Sequence, residues 1–132
     1  MTPLLDTHIL IWWFEEAGRL SAAQREIIEA ADGNPPLILS DISLLEVATL
    51  CGLGRIRLSI PLRDWLEKAV APPLVRRQGI SPAIASEIAA LPDSFHRDPA
   101  DRTIVATARA LGATLLTQDR RIIESGLVQA IG

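Results

Sequence analysis

Two acidic residues follow short apolar segments of the kind that form buried strands. Asp6 comes directly after the apolar residues 3–5, and Asp119 follows the segment 114–118. Ligands of open α/β sheets bind at the carboxyl ends of the strands, so these two carboxylates are expected to be neighbours at one edge of a sheet. Carboxylates gathered there would be suited to holding a cation. Each residue could instead serve only as the cap of the helix that follows it.

A third acid, Glu46, lies inside an otherwise apolar helical segment. Residues 42–50 are apolar on nearly every helical face, and a helix of that kind is buried. Glu46 is therefore expected in or beside the core, where a carboxylate must be paired, protonated or bound to a metal. An ion pair with an arginine and a role as a ligand or catalytic group both fit this position.

A fourth acidic position lies in the segment 97–102. Asp98 followed by Pro99 fits the N-cap and the first residue of a helix, and this role accounts for Asp98 without any chemistry. Asp101 lies three residues after the cap, where an acid can reach back to the backbone N–H group of the cap. The local pattern leaves both a capping role and a functional role open for Asp101.

The residue types that are present limit the chemistry of such a site. Like charges about 4 Å apart repel by about 4 kcal/mol at an effective dielectric constant of about 20, so four convergent carboxylates need a positive charge among them. One cysteine and two histidines exclude a site built from Cys or His clusters. Oxygen ligands favour Mg²⁺, with Mn²⁺ as a substitute, and such a cation equips a site for phosphodiester hydrolysis. The predicted ligands and catalytic residues are Asp6, Glu46, Asp101 and Asp119.

Short apolar runs alternate with helical patterns along the chain. This alternation is typical of an α/β fold with a largely parallel sheet, and no linker divides residues 1–132 into more than one domain. Strands are predicted at residues 3–6, 37–39, 74–80, 113–117 and 127–128. The apolar stretch 4–14 falls short of the about 18 residues that a membrane span requires. With a single cysteine, Cys51, this pattern favours a cytoplasmic protein without a membrane segment.

The chain has an excess of acidic residues, and nearly all of its basic residues are arginines. The 16 acidic residues exceed the 13 basic ones and give a net charge of −3, which argues against nucleic-acid binding through bulk positive charge alone. Without the four proposed ligands, however, the remainder of the chain is slightly positive. Lys68 is the only lysine, so the other basic residues are arginines, the cations suited to bidentate phosphate contacts.

Four segments resemble, in order and in spacing, the signature segments of PIN-domain ribonucleases. They are residues 5–13 (LDTHILIWW), 43–48 (SLLEVA), 97–102 (RDPADR) and 116–119 (LTQD). The likeness covers essentially the whole chain and is greatest to the VapC-type toxins of bacterial toxin–antitoxin operons. It implies a three-layer α/β/α sandwich around a mostly parallel sheet of four to five strands. It also implies an Mg²⁺-dependent endoribonuclease.

The resemblance further suggests roles for single residues around the acidic quartet. Asp98 matches an acid that would bind a second metal or its waters, and Thr7 and Thr117 match hydroxyl residues that orient a water or a carboxylate. Arginines flank the matched acids, where they are candidates for contacts to RNA phosphates or could instead pair with the carboxylates. These are Arg97, Arg102, Arg120 and Arg121.

Partners follow from the same resemblance. Toxins of this type commonly form homodimers, and each pairs with a small antitoxin whose C-terminal segment lies across the site. Trp12 and Trp13 follow the first acid on a largely apolar helix. They are expected either in the core or in a groove for the antitoxin or the dimer partner.

Other functions remain compatible with parts of the pattern. A PIN nuclease outside a toxin–antitoxin operon, or a catalytically silent PIN module, would share the fold. A phosphoaspartate phosphatase would need a second Asp two residues after Asp6, where this chain has His8. A receiver-like domain would need a lysine near the last strands, whereas Lys68 lies in the middle of the chain.

Overall fold

The computed structural model describes all 132 residues, which form five strands and seven helices. The strands are β1 (Pro3–Leu5), β2 (Leu37–Ser40), β3 (Val75–Gln78), β4 (Thr114–Leu116) and β5 (Ala130–Ile131). The helices are α1 (Thr7–Phe14), α2 (Ala22–Ala30), α3 (Asp41–Gly52), α4 (Leu62–Ala69), α5 (Pro82–Ala90), α6 (Pro99–Leu111) and α7 (Arg120–Ser125). None of the helices combines the length and the apolar character that crossing a bilayer demands.

All five strands form one parallel sheet in the order β3-β2-β1-β4-β5. The central strand β1 pairs with β2 through Leu4 and Ile38, and with β4 through Leu4 and Leu115. Because the strands are parallel, their carboxyl ends lie at the same edge of the sheet. The predicted α/β fold with a parallel sheet is confirmed, and this edge places Asp6 close to the residues that follow β4.

Apolar side chains cover both faces of the sheet. Leu4, Ile38 and Leu115 belong to the core beneath α5, α6 and α7, whereas Leu5 and Leu116 belong to the core beneath α1, α2 and α4. Helix α3 contacts both α1 and α6. Neighbouring strand residues thus point to opposite faces, as a sheet between two helical layers requires, and the predicted three-layer sandwich is confirmed.

The last strand lies further along the chain than the predicted residues 127–128. Gly126 ends α7 with a φ of 69°, and the Leu127 carbonyl then accepts a hydrogen bond from Arg109 Nη1 at 2.8 Å. Pairing with β4 begins only at Gln129, whose carbonyl accepts from the Leu115 N–H. The prediction was wrong because Leu127 and Val128 are apolar for another reason: they pack against the core before the chain reaches the sheet.

Candidate active site

A cavity of about 740 Å³ lies where the chain leaves β1 and β4. The structure brings the four predicted acids together in its lining, and Asp98 lies there with them. Asp6 directly follows β1, and Glu46 lies in the middle of α3. Asp101 lies in the first turn of α6, and Asp119 directly precedes α7.

Asp6 is the most deeply buried acid of this cavity. It directly follows β1 and caps α1, because its Oδ1 accepts a hydrogen bond from the Thr7 N–H at 2.8 Å. Its other oxygen, Oδ2, accepts from Thr117 Oγ1 at 2.7 Å. The pKa of Asp6 is raised to about 6, mainly by burial and in part by the charges of Asp101 and Glu46, while the two hydrogen bonds act in the opposite direction. Both oxygens therefore have fixed orientations.

Thr117 connects Asp6 to Asp119. While its hydroxyl donates to Asp6, the same oxygen accepts a hydrogen bond from the Asp119 N–H at 3.0 Å. Asp119 caps α7 through Arg121, whose N–H donates to Oδ1 at 2.9 Å and whose guanidinium lies 3.2 Å from Oδ2. Partial burial acts to raise the pKa of Asp119, but the hydrogen bonds and charge of Arg121 outweigh it and lower the pKa.

Glu46 projects from α3 into the cavity. Its Oε1 is the only buried side-chain oxygen or nitrogen of the protein that lacks a hydrogen-bond partner. Neither Glu46 nor Asp6 forms an ion pair with a basic residue. Burial raises the pKa of Glu46, the Thr7 hydroxyl lowers it and the charge of Asp101 raises it. The predicted alternative of an ion pair with an arginine is therefore wrong.

Asp101 is held by two neighbours from the segment before α6. Asp98 caps the helix, since its Oδ1 accepts from the Asp101 N–H at 2.9 Å. The Asp101 Oδ2 lies 2.7 Å from His96 Nε2. Burial raises the pKa of Asp101, although the hydrogen bond from His96 acts in the opposite direction.

His96 is a site residue that sequence reasoning did not select. Its ring is mostly buried beside Phe95, with centroids 4.3 Å apart, and its nitrogen lies near both Asp101 and Asp119. The available signal was its position directly before the acidic segment 97–102. The exposed His8 also lines the cavity.

The predicted RNA-contact arginines differ in their surroundings. Arg102 is buried, and its Nη1 donates to the carbonyls of Phe95 and His96 at 3.1 and 3.3 Å. It fixes the backbone of the loop before α6 and has no access to RNA, so this prediction was wrong. Arg121 lines the cavity and faces Asp119.

Two further arginines lie outside the cavity lining. Arg97 forms an ion pair with Asp93 at 3.6 Å, and Arg120 forms one with Glu124 at 3.2 Å. These side chains are exposed, so the ion pairs are weak. The role of Arg97 and Arg120 in RNA contact stays a prediction. The unpaired arginines of the cavity are instead Arg19 and Arg55, which sequence reasoning did not select.

The two tryptophans of α1 share one surface, and Trp12 also reaches another. Both are partly buried and pack against the core on their side of the sheet. Trp12 reaches the acidic cavity, whereas both rings line a second cavity of about 340 Å³ beside Leu20 and Ile28. The predicted core packing is thus confirmed for part of each ring. The predicted groove for a partner at this surface stays a prediction.

The acidic residues fit a hard divalent cation. Four carboxylates supply oxygen donors, and one of these oxygens, Glu46 Oε1, is buried without a hydrogen-bond partner. Burial, together with repulsion between the carboxylates, raises three of the four pKa values. A cation among them would supply the missing partner and offset the repulsion. Ligand atoms of His96, Asp101 and Asp119 lie within 4.8 Å of one another, close enough to surround one ion.

The fold and this acidic edge define a class of protein. Residues 4–126 match the family model of the PIN domain, and the chain belongs to this family. The resemblance suggested by the four segments is thereby confirmed.

Known relatives agree with this assignment. The chain is 46% identical over 121 residues to Ribonuclease VapC22 of Mycobacterium tuberculosis (strain ATCC 25618 / H37Rv), an alignment that covers 92% of this chain and 89% of the relative. Among solved structures, VapBC2 from Rickettsia felis bound to a DNA fragment from their promoter is similar at a TM-score of 0.74 and 15% identity, with 99% and 98% of the two chains covered. FitAcB from Neisseria gonorrhoeae is similar at 0.69 and 20%, with 99% and 97% covered. These structural likenesses concern the fold.

Proposed function

We propose that this protein is an endoribonuclease that requires a divalent cation, with Mg²⁺ as the natural metal and Mn²⁺ as a substitute. The observation that carries the proposal is the buried, unpartnered Glu46 Oε1 beside three further carboxylates that share one cavity. Identity to a named ribonuclease over most of the chain supports RNA as the substrate. The proposed ligands are Asp6, Glu46, Asp101 and Asp119.

The chain's own residues prepare this site before substrate arrives. Thr7 and Thr117 hold the two oxygens of Asp6, and His96 and Asp98 hold the carboxylate and the N–H group of Asp101. Fixed ligands need little reorganisation when charge develops on a phosphate. When bound, a divalent cation polarises a phosphoryl oxygen and lowers the pKa of water.

The lining of the cavity contains neither cysteine nor serine that could act as a covalent nucleophile. The hydroxyl of Thr7, which follows Asp6, is paired with Ser43 at 2.9 Å. Direct hydrolysis by water is therefore the proposed reaction. Arg121 lies beside Asp119 at the cavity and supplies positive charge where a phosphate would bind.

We further propose that the enzyme acts in the cytoplasm as the toxin of a toxin–antitoxin pair, as a homodimer bound to a VapB-type antitoxin. Support comes from the names of its relatives, which include VapBC2 of Rickettsia felis and a toxin–antitoxin complex from Klebsiella pneumoniae that is 23% identical at a TM-score of 0.67. The second cavity beside Trp13, which both apolar and charged side chains line, offers a surface for such a partner.

The decisive experiment compares cleavage of total cellular RNA by the wild-type protein and by Asp119→Asn. Mapping of new 5′ ends should show discrete cuts in Mg²⁺ for the wild type and none in excess EDTA or for the variant. Arg63→Ala serves as a control, because Arg63 is exposed and pairs only with Glu67. Unchanged cleavage in EDTA would contradict the metal requirement. Absence of any RNA cleavage in Mg²⁺ or Mn²⁺ would contradict the nuclease activity and favour a catalytically silent binding module.

The toxin role has a separate test. Expression of the wild type should arrest growth, Asp119→Asn should not, and co-expression of the protein encoded next to it should restore growth. Growth unaffected by an enzyme that cleaves RNA in vitro would indicate a nuclease outside a toxin–antitoxin system.

A further inference from the structure

The cavity has a basic and aromatic side in addition to its acids. Arg19, Arg55 and Trp12 line it together with the carboxylates. Both arginines are exposed, and neither forms an ion pair, although five acidic residues line the same cavity. Their positive charge is therefore available to a ligand that the acids alone would repel.

The guanidinium of Arg19 lies over an aromatic ring. Its guanidinium carbon is 4.4 Å from the centroid of the Trp12 ring, and the ring is fixed by packing against the core under α1. Guanidinium and indole planes both stack on nucleobases, and aromatic stacking in single-strand binding tolerates any base. An arginine over a fixed tryptophan thus offers a surface for stacking at the wall of the cavity.

The backbone of Arg19 is tied to the catalytic edge. Gln118 Nε2 donates a hydrogen bond to the Arg19 carbonyl at 2.7 Å, and Gln118 directly precedes Asp119. The loop that carries Arg19 therefore keeps a fixed distance from the proposed metal ligands. Substituting the Arg19 side chain leaves this backbone contact in place.

We propose that Trp12, Arg19 and Arg55 bind the single-stranded RNA next to the cleaved phosphate, with a nucleobase on the Trp12–Arg19 stack and a backbone phosphate at Arg55. This inference rests on the proposed ribonuclease function. RNA is favoured over a protein partner because the cavity combines a stacking plane with free arginines beside a metal site. Single-stranded RNA presents unstacked bases and phosphates to such a surface.

The test measures affinity for fluorescent 20-nucleotide single-stranded RNA of randomised sequence, by anisotropy in Mg²⁺ at several salt concentrations. All proteins carry Asp6→Asn so that the probe survives. Arg55→Ala should weaken binding about tenfold and reduce the slope of log affinity against log salt by about 0.7, the value for one lost phosphate contact to a single strand. Arg19→Ala should also weaken binding about tenfold, through loss of base stacking, with a smaller change in the slope. Trp12→Phe should retain more affinity than Trp12→Ala.

Arg76→Ala is the matched control, because Arg76 is exposed on the edge strand β3 and has no ion pair, so the same charge is lost away from the cavity. Affinity and slope of Arg19→Ala and Arg55→Ala equal to those of Arg76→Ala would overturn the inference. If a wild-type protein that cleaves RNA gives this result, only the binding surface is wrong. If the wild type neither binds nor cleaves RNA, the proposed function fails and the inference fails with it.

Discussion

The hydroxyl of Thr117 donates a hydrogen bond to Asp6 Oδ2 at 2.7 Å, although 111 residues separate the two in the chain. The same oxygen accepts from the Asp119 N–H, so one hydroxyl group at the end of β4 sets the positions of two acids. The predicted role of Thr117 as a supporting hydroxyl residue has this physical basis.

Thr117→Val should therefore disturb both stability and the site. Valine has nearly the same shape but leaves the buried Asp6 oxygen and the Asp119 N–H without a partner, a loss of about 1–3 kcal/mol in the free energy of unfolding. Urea denaturation would measure this loss, and isothermal titration would show weaker Mg²⁺ binding. Thr117→Ser keeps the hydroxyl and is the control. A valine variant with the metal affinity of the wild type would contradict the supporting role.

Stability of the metal-free protein should depend on pH through Asp6. Its pKa is about 6 in the folded protein, against 3.8 for an ordinary aspartate, so the folded state binds the proton more tightly. The free energy of unfolding in EDTA should therefore fall as pH rises from about 4 to about 6, by up to about 3 kcal/mol. The raised pKa values of Glu46 and Asp101 act in the same direction.

The measurement is urea denaturation in EDTA between pH 4 and pH 7. Asp6→Asn should show a shallower decrease, because the amide does not titrate. Addition of Mg²⁺ at pH 7.5 should restore stability to the wild type, since the cation binds only the folded site. If the metal-free wild type were more stable at pH 7 than at pH 4, the prediction would be contradicted, because ionisation of Asp6 would then not destabilise the folded state.

Glu46→Gln should separate metal binding from folding. Removal of the charge leaves the helix intact and relieves repulsion, so the metal-free variant should melt no lower than the wild type. Its Mg²⁺ affinity should fall by more than about tenfold, and cleavage should be lost. Glu26→Gln, on the exposed face of α2, makes the same chemical change outside the site. Equal Mg²⁺-induced rises in melting temperature for both variants would exclude Glu46 as a ligand.

His96→Ala should weaken metal binding although His96 is not among the proposed ligands. The ring holds Asp101 Oδ2 at 2.7 Å, and loss of a partner of this kind costs about 10–100-fold in metal affinity or activity. His96→Gln, which retains an N–H donor of similar reach, should recover much of the affinity. Equal metal affinities for the alanine and glutamine variants would indicate that His96 only packs against Phe95 and does not position Asp101.

Asp98 can be tested for capping and for metal binding separately. Asp98→Asn retains a cap for the Asp101 N–H, whereas Asp98→Ala loses it at a cost of about 1 kcal/mol. If Asp98 acts only as a cap, the asparagine variant should match the wild type in both unfolding and Mg²⁺ titrations. Reduced metal affinity in a fully stable asparagine variant would instead assign it a place near a second ion.

The acidic residues could be located from the sequence because each has a distinctive local setting. Asp6 and Asp119 follow buried strands, and Glu46 interrupts an apolar helix, so a parallel sheet alone brings two of them together. The ring of His96 and the guanidinium of Arg102 could not be placed in the same way. Their positions depend on how the loop before α6 folds against Phe95, which no periodic pattern encodes.

Long-range contacts account for what else sequence reasoning missed. Arg19 reaches the cavity because Gln118 holds its backbone, a hydrogen bond between residues 99 positions apart. Leu127 and Val128 have the composition of a strand, but their side chains pack against the core. Pairing with β4 forms further along the chain, at Ala130 and Ile131. Composition indicates burial at these positions without specifying the partner.

The central position of β1 has a consequence for the order in which the protein is made. Asp6 and β1 are synthesised before β4, so β1 gains its β4 neighbour only after synthesis has passed residue 116. Asp119 follows later still. A growing chain therefore carries Asp6 and Glu46 at first without the other half of the site, and nuclease competence arises only after residue 119 has been synthesised.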